Sequence, residues 1–209
     1  CQRSGRPEGA VRLTAVSKTH PAEAVLAAID AGVDAIGENR VQEAAGKRRL
    51  LPARPEWRLI GSLQQNKARL ALETFDVIET VDRVAIADRL ESLLAGSTRI
   101  VPVLIEVNVG AEVQKGGAAP DSVLSLAGHL IERCPHLRFE GLMTVPPYDP
   151  DPSHSRPFFS ALRRLGEQMA IVQGLPQVGL SMGMSEDFEI AVEEGATEVR
   201  LGRIIFGER

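Results

Sequence analysis

One lysine closes an apolar run near the start of the chain. Val11-Arg12-Leu13-Thr14-Ala15-Val16-Ser17 leads into Lys18, and Thr19-His20-Pro21 then opens a helical pattern. A primary amine at the carboxyl end of a buried parallel strand stands where α/β barrels keep their chemistry. It can condense with an aldehyde to a Schiff base. The same place also suits a lysine whose methylenes cover apolar surface while its ammonium reaches water. Far along the chain, two glycine-bearing turns follow two short strands. They are Ser181-Met182-Gly183-Met184-Ser185 and Gly202-Arg203, the second leading into Ile204-Ile205-Phe206-Gly207. Backbone N–H groups at strand-to-helix turns can cradle a phosphate. Either turn alone needs no ligand to explain it. Side by side after the last two strands of a barrel, they occupy the phosphate position of that fold.

An amine after the first strand and a phosphate cradle after the last two can hold a single ligand across the barrel mouth. Pyridoxal 5′-phosphate carries an aldehyde and a phosphate on different parts of one ring and answers to both. Arg200, at the end of the last strand, is placed to face the ring nitrogen. A permanently charged guanidinium disfavours protonation there and weakens the ring as an electron sink. The other use open to Arg200 is an ion pair with a strand-end acid such as Glu38.

The elements that must position these groups alternate along the whole chain. Apolar, β-branched runs predict strands at 11–18, 34–38, 56–61, 76–81, 100–109, 137–145, 177–182 and 198–202. Helical patterns predict helices at 21–32, 39–51, 64–75, 83–95, 120–134, 155–173 and 185–195, with a last short one near Ile204. Pro21 fits a first helical turn, and Gly32 and Gly195 fit helix ends. Ser185-Glu186-Asp187 reads as a capped helix start. Runs such as Val101-Pro102-Val103-Leu104-Ile105 are apolar on both faces, the mark of a parallel sheet covered by helices. Eight strand–helix units predict a single (β/α)8 TIM barrel over residues 1–209, with an amino-terminal helix missing from its start. The rival, a doubly wound open sheet, lacks a GxGxxG turn after an early strand. Pro146-Pro147-Tyr148-Asp149-Pro150-Asp151-Pro152 is a loop, either a cover for the mouth or a plain surface connection.

Composition narrows the function classes. The net charge of -4 and aromatic content of 4% argue against nucleic acid as a partner. Lys47-Arg48-Arg49 reads as the solvated end of a helix. Cys1 and Cys134 make no zinc or disulfide framework, which fits a reducing cytoplasm. No run is long and apolar enough to span a bilayer. The strand ends (Lys18, Glu38-Asn39, Gly61-Ser62, Thr80, Asn108, Met143-Thr144, Ser181 to Ser185, Arg200 to Gly202) offer one carboxylate, no histidine and no cysteine. Neither a metal site nor a Ser-His-Asp hydrolase is expected from that set.

These segments resemble the pyridoxal phosphate homeostasis proteins, also called proline synthase co-transcribed homologues. The resemblance rests on Ala15 to Thr19, Gly37-Glu38-Asn39, Val41 to Ala44, Trp57 to Lys67, Val107-Asn108-Val109, Lys115-Gly116-Gly117, Gly141 to Thr144, Leu180 to Asp187, and Val199 to Gly202 with Ile205-Phe206-Gly207. It implies a barrel like the amino-terminal domain of alanine racemase, with pyridoxal phosphate held as an aldimine on Lys18. It further implies phosphate contacts from Ser181, Gly202 and the Arg203 backbone, a ring-nitrogen contact from Arg200, and a pocket lined by Asn39 and Asn108 with Met143 beside the ring; Met182 and Gly183 of the glycine turn are further cofactor-binding candidates. The chain departs from the family at Arg40, where an aromatic is usual, and at Arg203, where Thr or Ser is usual. The implied role is a monomeric carrier that buffers pyridoxal phosphate or delivers it to apo-enzymes, in vitamin B6 and amino-acid balance. A racemase needs a second base opposite Lys18, and Tyr148 is not expected to reach that face. A racemase or related aldimine catalyst is the alternative. A phosphosugar barrel enzyme, with Lys18 only a charge, is a third reading.

Overall fold

The structure, a computed structural model, describes residues 1–51, 54–112 and 114–207. Its eight parallel strands close on themselves in chain order, β1 pairing with both β2 and β8. The strands are β1 Arg12–Val16, β2 Ala35–Glu38, β3 Glu56–Leu59, β4 Val77–Val81, β5 Val101–Glu106, β6 Leu137–Met143, β7 Gly179–Ser181 and β8 Glu198–Leu201. The helices are α1 Ala22–Asp30, α2 Val41–Arg48, α3 Ala68–Thr74, α4 Val84–Leu94, α5 Pro120–Arg133, α6 Arg156–Gln173, α7 Phe188–Glu193 and α8 Arg203–Phe206. The (β/α)8 expectation holds. Several expected strands overran, most at β5, which ends at Glu106 rather than residue 109. Helix α7 starts at Phe188, so Ser185 is not its cap. Instead Asp187 accepts the Met184 N–H at 2.7 Å and the Ser155 hydroxyl at 3.0 Å.

The main core lies between the strands and the helices. Trp57, Ile36, Leu59, Ile78, Ile105 and Leu142 point outward from the sheet, fully buried under helix residues such as Phe159, Leu90 and Leu130. Helix α5 buries Val123, Leu126, Ala127 and Leu130, the i, i+3, i+4, i+7 stripe of an amphipathic helix. Each such fully buried side chain contributes about 1.5–3 kcal/mol.

The barrel interior is different, because successive strand residues point to opposite faces. Val77, Leu104 and Met143 form a small apolar cluster there. Beside it the interior holds an ionic cluster. Arg58 meets Glu79 at 2.5 Å, Glu198 at 2.8 Å and Glu56 at 2.5 Å. Thr14 donates to Glu198 at 2.6 Å. Burial and the neighbouring Glu79 push Glu198 up to about 8. For Glu79 burial acts upward, but Arg58 and Arg200 outweigh it and hold the carboxyl below the usual range.

Candidate functional site

Lys18 leaves β1 in a tight turn in which the His20 N–H donates to the Ser17 carbonyl at 3.0 Å. Thr19 has φ of 69° there. A β-branched residue in the left-handed region costs on the order of 1–3 kcal/mol, so the surroundings must impose it. They do so from below. The Lys47 ammonium, on α2, donates to the Ser17 carbonyl at 2.7 Å, to Glu38 at 2.6 Å and to Glu43 at 2.8 Å. The Ser17 hydroxyl donates to Glu38 at 2.7 Å, and the Thr19 N–H donates to Glu43 at 2.6 Å. Lys47 is therefore buried, contrary to the solvated helix end expected from its basic run. Only Arg49 of that run is fully exposed. Burial raises the Glu38 carboxyl despite its bonds from Lys47 and Ser17. For Glu43 burial also acts upward, but the Lys47 and Thr19 hydrogen bonds and the Lys47 charge prevail and hold it low.

Arg200 is buried and does not pair with Glu38. Its guanidinium donates to the Ser181 hydroxyl oxygen and to the Thr144 carbonyl, each at 2.7 Å. The Ser181 hydroxyl donates onward to Glu79 at 2.5 Å. Ser181 thus links Arg200 to the interior ionic cluster. Its hydroxyl therefore donates to Glu79 and accepts from Arg200. The Arg200 N–H donates to the Gly183 carbonyl at 2.9 Å, joining the two glycine turns. Gly183 has φ of 95°, and a Cβ there would stand 2.5 Å from the Ala191 Cβ, so the fold itself demands glycine. Gly202 differs. Its φ is −108°, and a Cβ would meet Val16 only at 3.5 Å and beyond. The protein's own packing leaves room at Gly202, as close approach of a ligand to the backbone would require. Arg203 opens α8 beside it, exposed and paired with Glu186 of the loop between β7 and α7.

The other expected pocket residues divide. Asn39 follows β2, and its buried Oδ1 has no hydrogen-bond partner. Met143 is buried against Val77 and Leu104 inside the barrel. Met182 faces outward into the main core, so only its backbone belongs to the turn. Asn108 is spent on its own loop, donating to the Glu112 carbonyl at 2.9 Å and accepting the Glu112 N–H at 3.2 Å. Lys115 ties that loop to the Pro146 carbonyl at 3.0 Å. The Pro-rich loop therefore packs against the loop after β5, and Tyr148 stands 82% exposed.

One group escaped the sequence reading. Glu106 ends β5 on the face it shares with Leu104, and its buried Oε2 has no hydrogen-bond partner. Burial, with the Asp82 charge next, pushes its carboxyl up to about 7 against the pull of Arg200. The apolar run continuing through Val107 hides it, because that run carries the strand pattern on to Asn108. Elsewhere, Asp88, His129 and Cys134 bring donor atoms within 4.8 Å of one another on the outer helices. His129 already bonds Asp88 at 2.6 Å, and burial, with nearby acids, pushes the Cys134 thiol up to about 11.

The family model for the alanine racemase N-terminal domain matches residues 2–209. The pyridoxal phosphate homeostasis protein of Aquifex aeolicus (strain VF5) is 41% identical over 100% of this chain and 92% of its own. The chain belongs to the pyridoxal phosphate homeostasis protein family. Among similar solved structures, PipY of Synechococcus elongatus PCC7942 has pyridoxal phosphate bound. It superposes with a TM-score of 0.85 at 36% identity, covering 99% of this chain and 96% of PipY. Alanine racemase of Clostridium difficile 630 shares the fold, with a TM-score of 0.79 at 13% identity over 97% of this chain and 54% of the racemase. Among the described residues of this homeostasis-family chain, no helix is long and apolar enough to cross a membrane.

Proposed function

We propose that this chain binds pyridoxal 5′-phosphate at the carboxyl ends of its strands and acts in the cell as a monomeric reservoir and donor of that cofactor. The carrying observation is the convergence at one barrel end of Lys18, the guanidinium of Arg200 and the two hydrogen-bonded glycine turns. Lys18 would hold the aldehyde carbon as an aldimine. The phosphate falls to the backbone of the Gly183 turn and of Gly202 and Arg203, where α8 begins with its first N–H groups lacking intrahelical acceptors. Arg200, anchored by Ser181 and Thr144, would meet the ring nitrogen, and Asn39 would offer its unpartnered Oδ1 to the pocket. When bound, the cofactor supplies an electron sink, here a weak one because Arg200 disfavours a protonated ring nitrogen. Recipients are apo-enzymes that need pyridoxal phosphate, and the outcome is vitamin B6 and amino-acid balance.

The test is an absorbance spectrum after adding pyridoxal phosphate, then borohydride reduction and peptide mapping. A red-shifted band with label on Lys18 is expected. An unshifted spectrum, or label scattered over surface lysines, overturns the site. Delivery is tested by mixing loaded protein with a pyridoxal-phosphate-requiring apo-enzyme. Activation no faster than by the free cofactor removes the donor role.

Glu106 favours a second reading, catalysis at the α-carbon of an amino acid. In the closed order β5 lies four strands from β1 either way, so this carboxyl stands across the barrel from Lys18. A carboxyl near pH 7 in its titration suits proton exchange. Deuterium entering the α-carbon of alanine from heavy water, abolished in Glu106→Gln with cofactor binding intact, would establish it. No incorporation leaves the carrier.

A further inference from the structure

We propose that Lys47 and Glu43 are positioning residues for the Lys18 amine, setting how readily the chain captures an aldehyde. The inference rests on the cofactor reading above and goes beyond it, because neither residue stands at the mouth. Lys47 spends all three of its N–H donors, two on carboxylates and one on the carbonyl of the residue before Lys18. Glu43 accepts the N–H of the residue after Lys18. The backbone on both sides of the amine is thus fixed from one helix turn of α2. The turn's unfavourable geometry at Thr19, with φ of 69°, is closed by the His20 N–H on the Ser17 carbonyl and is held from outside by the Glu43 bond. Glu38 completes the cradle by holding both the Ser17 hydroxyl and Lys47. A Schiff base forms only when the amine reaches the carbonyl carbon along a narrow approach, so loosening the turn costs capture of the aldehyde. It does not cost contacts to the ring or phosphate, which come from other strands.

That division supplies the test. Pyridoxal 5′-phosphate and pyridoxine 5′-phosphate share ring and phosphate, but the second carries an alcohol in place of the aldehyde and cannot condense with Lys18. In Glu43→Ala the affinity for the aldehyde should fall about tenfold or more, while affinity for the alcohol stays unchanged. Glu43→Gln keeps an acceptor for the Thr19 N–H and should restore most of the loss. Lys47→Met should show the same selective loss, and Glu43→Ala serves where Lys47→Met folds poorly. Equal weakening of both probes would mean that the cluster only supports the barrel, and would overturn the proposal. Unchanged binding of both would overturn it as well. The wild-type chain is the separate control. If it binds the aldehyde without label on Lys18 after borohydride, the cofactor reading itself fails. If it labels Lys18 normally and the variants match it, only the positioning role fails.

Discussion

Lys47 and Arg58 are both buried cations ringed by glutamates, and they serve opposite faces of the same sheet. Lys47 comes from α2 and reaches the outer side of the wall, where one of its bonds goes to main chain. Arg58 lies inside the barrel and contacts only side chains, drawn from β3, β4 and β8. Through Thr14 and Ser181 its cluster extends to β1 and β7. The inner cluster therefore ties strands together, and the outer one shapes a loop. A barrel can hold its stability and its reactive geometry in separate ionic groups, a few ångströms of sheet apart.

Removing Arg58 should have the largest effect. Arg58→Met leaves Glu79 and Glu198 facing each other without their shared cation, and a loss of about 3–5 kcal/mol is expected in urea unfolding. Lys47→Met should cost less, about 1–3 kcal/mol, because its partner Glu43 is partly exposed and can turn to water, whereas Glu79 is fully buried. If the two losses were equal, the separation of roles would fail.

One carboxyl from each cluster, Glu198 inside and Glu43 outside, should answer pH with opposite signs. Glu198 is raised to about 8, so the folded chain binds this proton more tightly than the unfolded chain does. Its stabilisation is full below the ordinary value of 4.5 and is lost as pH rises through about 8. Glu198→Gln should flatten that decline, by a few kcal/mol at most, in unfolding curves taken across the interval. Glu43 is lowered, so its stabilisation is present above 4.5 and is lost as pH falls through its folded value. Glu43→Gln should soften the acid limb and leave the alkaline one alone. The smallest effect belongs to Arg203→Thr, which breaks an exposed pair with Glu186 and touches neither cluster. Its thermal unfolding should stay within about 0.5 kcal/mol of the parent.

How much of this is legible in the chain follows from which face a residue takes. The eight strands and their order can be read because buried parallel strands are apolar runs and the crossovers between them carry amphipathic stripes. Lys18, Arg200 and the two glycine turns can be read because they break those runs. Glu79 and Glu106 cannot be read, because each stands inside a run, Val77-Ile78-Glu79-Thr80-Val81 and Leu104-Ile105-Glu106-Val107, where the barrel's inward face accepts charge. Lys47 cannot be read for another reason. Helix α2 is eight residues long, too short for its periodicity to say which way a lysine beside two arginines points. Ser181 can be read as a candidate but not as a link to Glu79, since that bond joins positions 102 residues apart.

The ionic interior also limits how this protein can change. Swapping Arg58, Glu79 and Glu198 together for apolar side chains of similar volume would be close to neutral, or even stabilising. Replacing Arg58 alone strands Glu79, and replacing Glu79 alone leaves Arg58 and Arg200 short of an anion. The route from a charged to an oily interior therefore crosses a valley that single substitutions cannot bridge. A lineage that starts with this cluster is held to it by the cost of the intermediates, whatever the merit of the alternative.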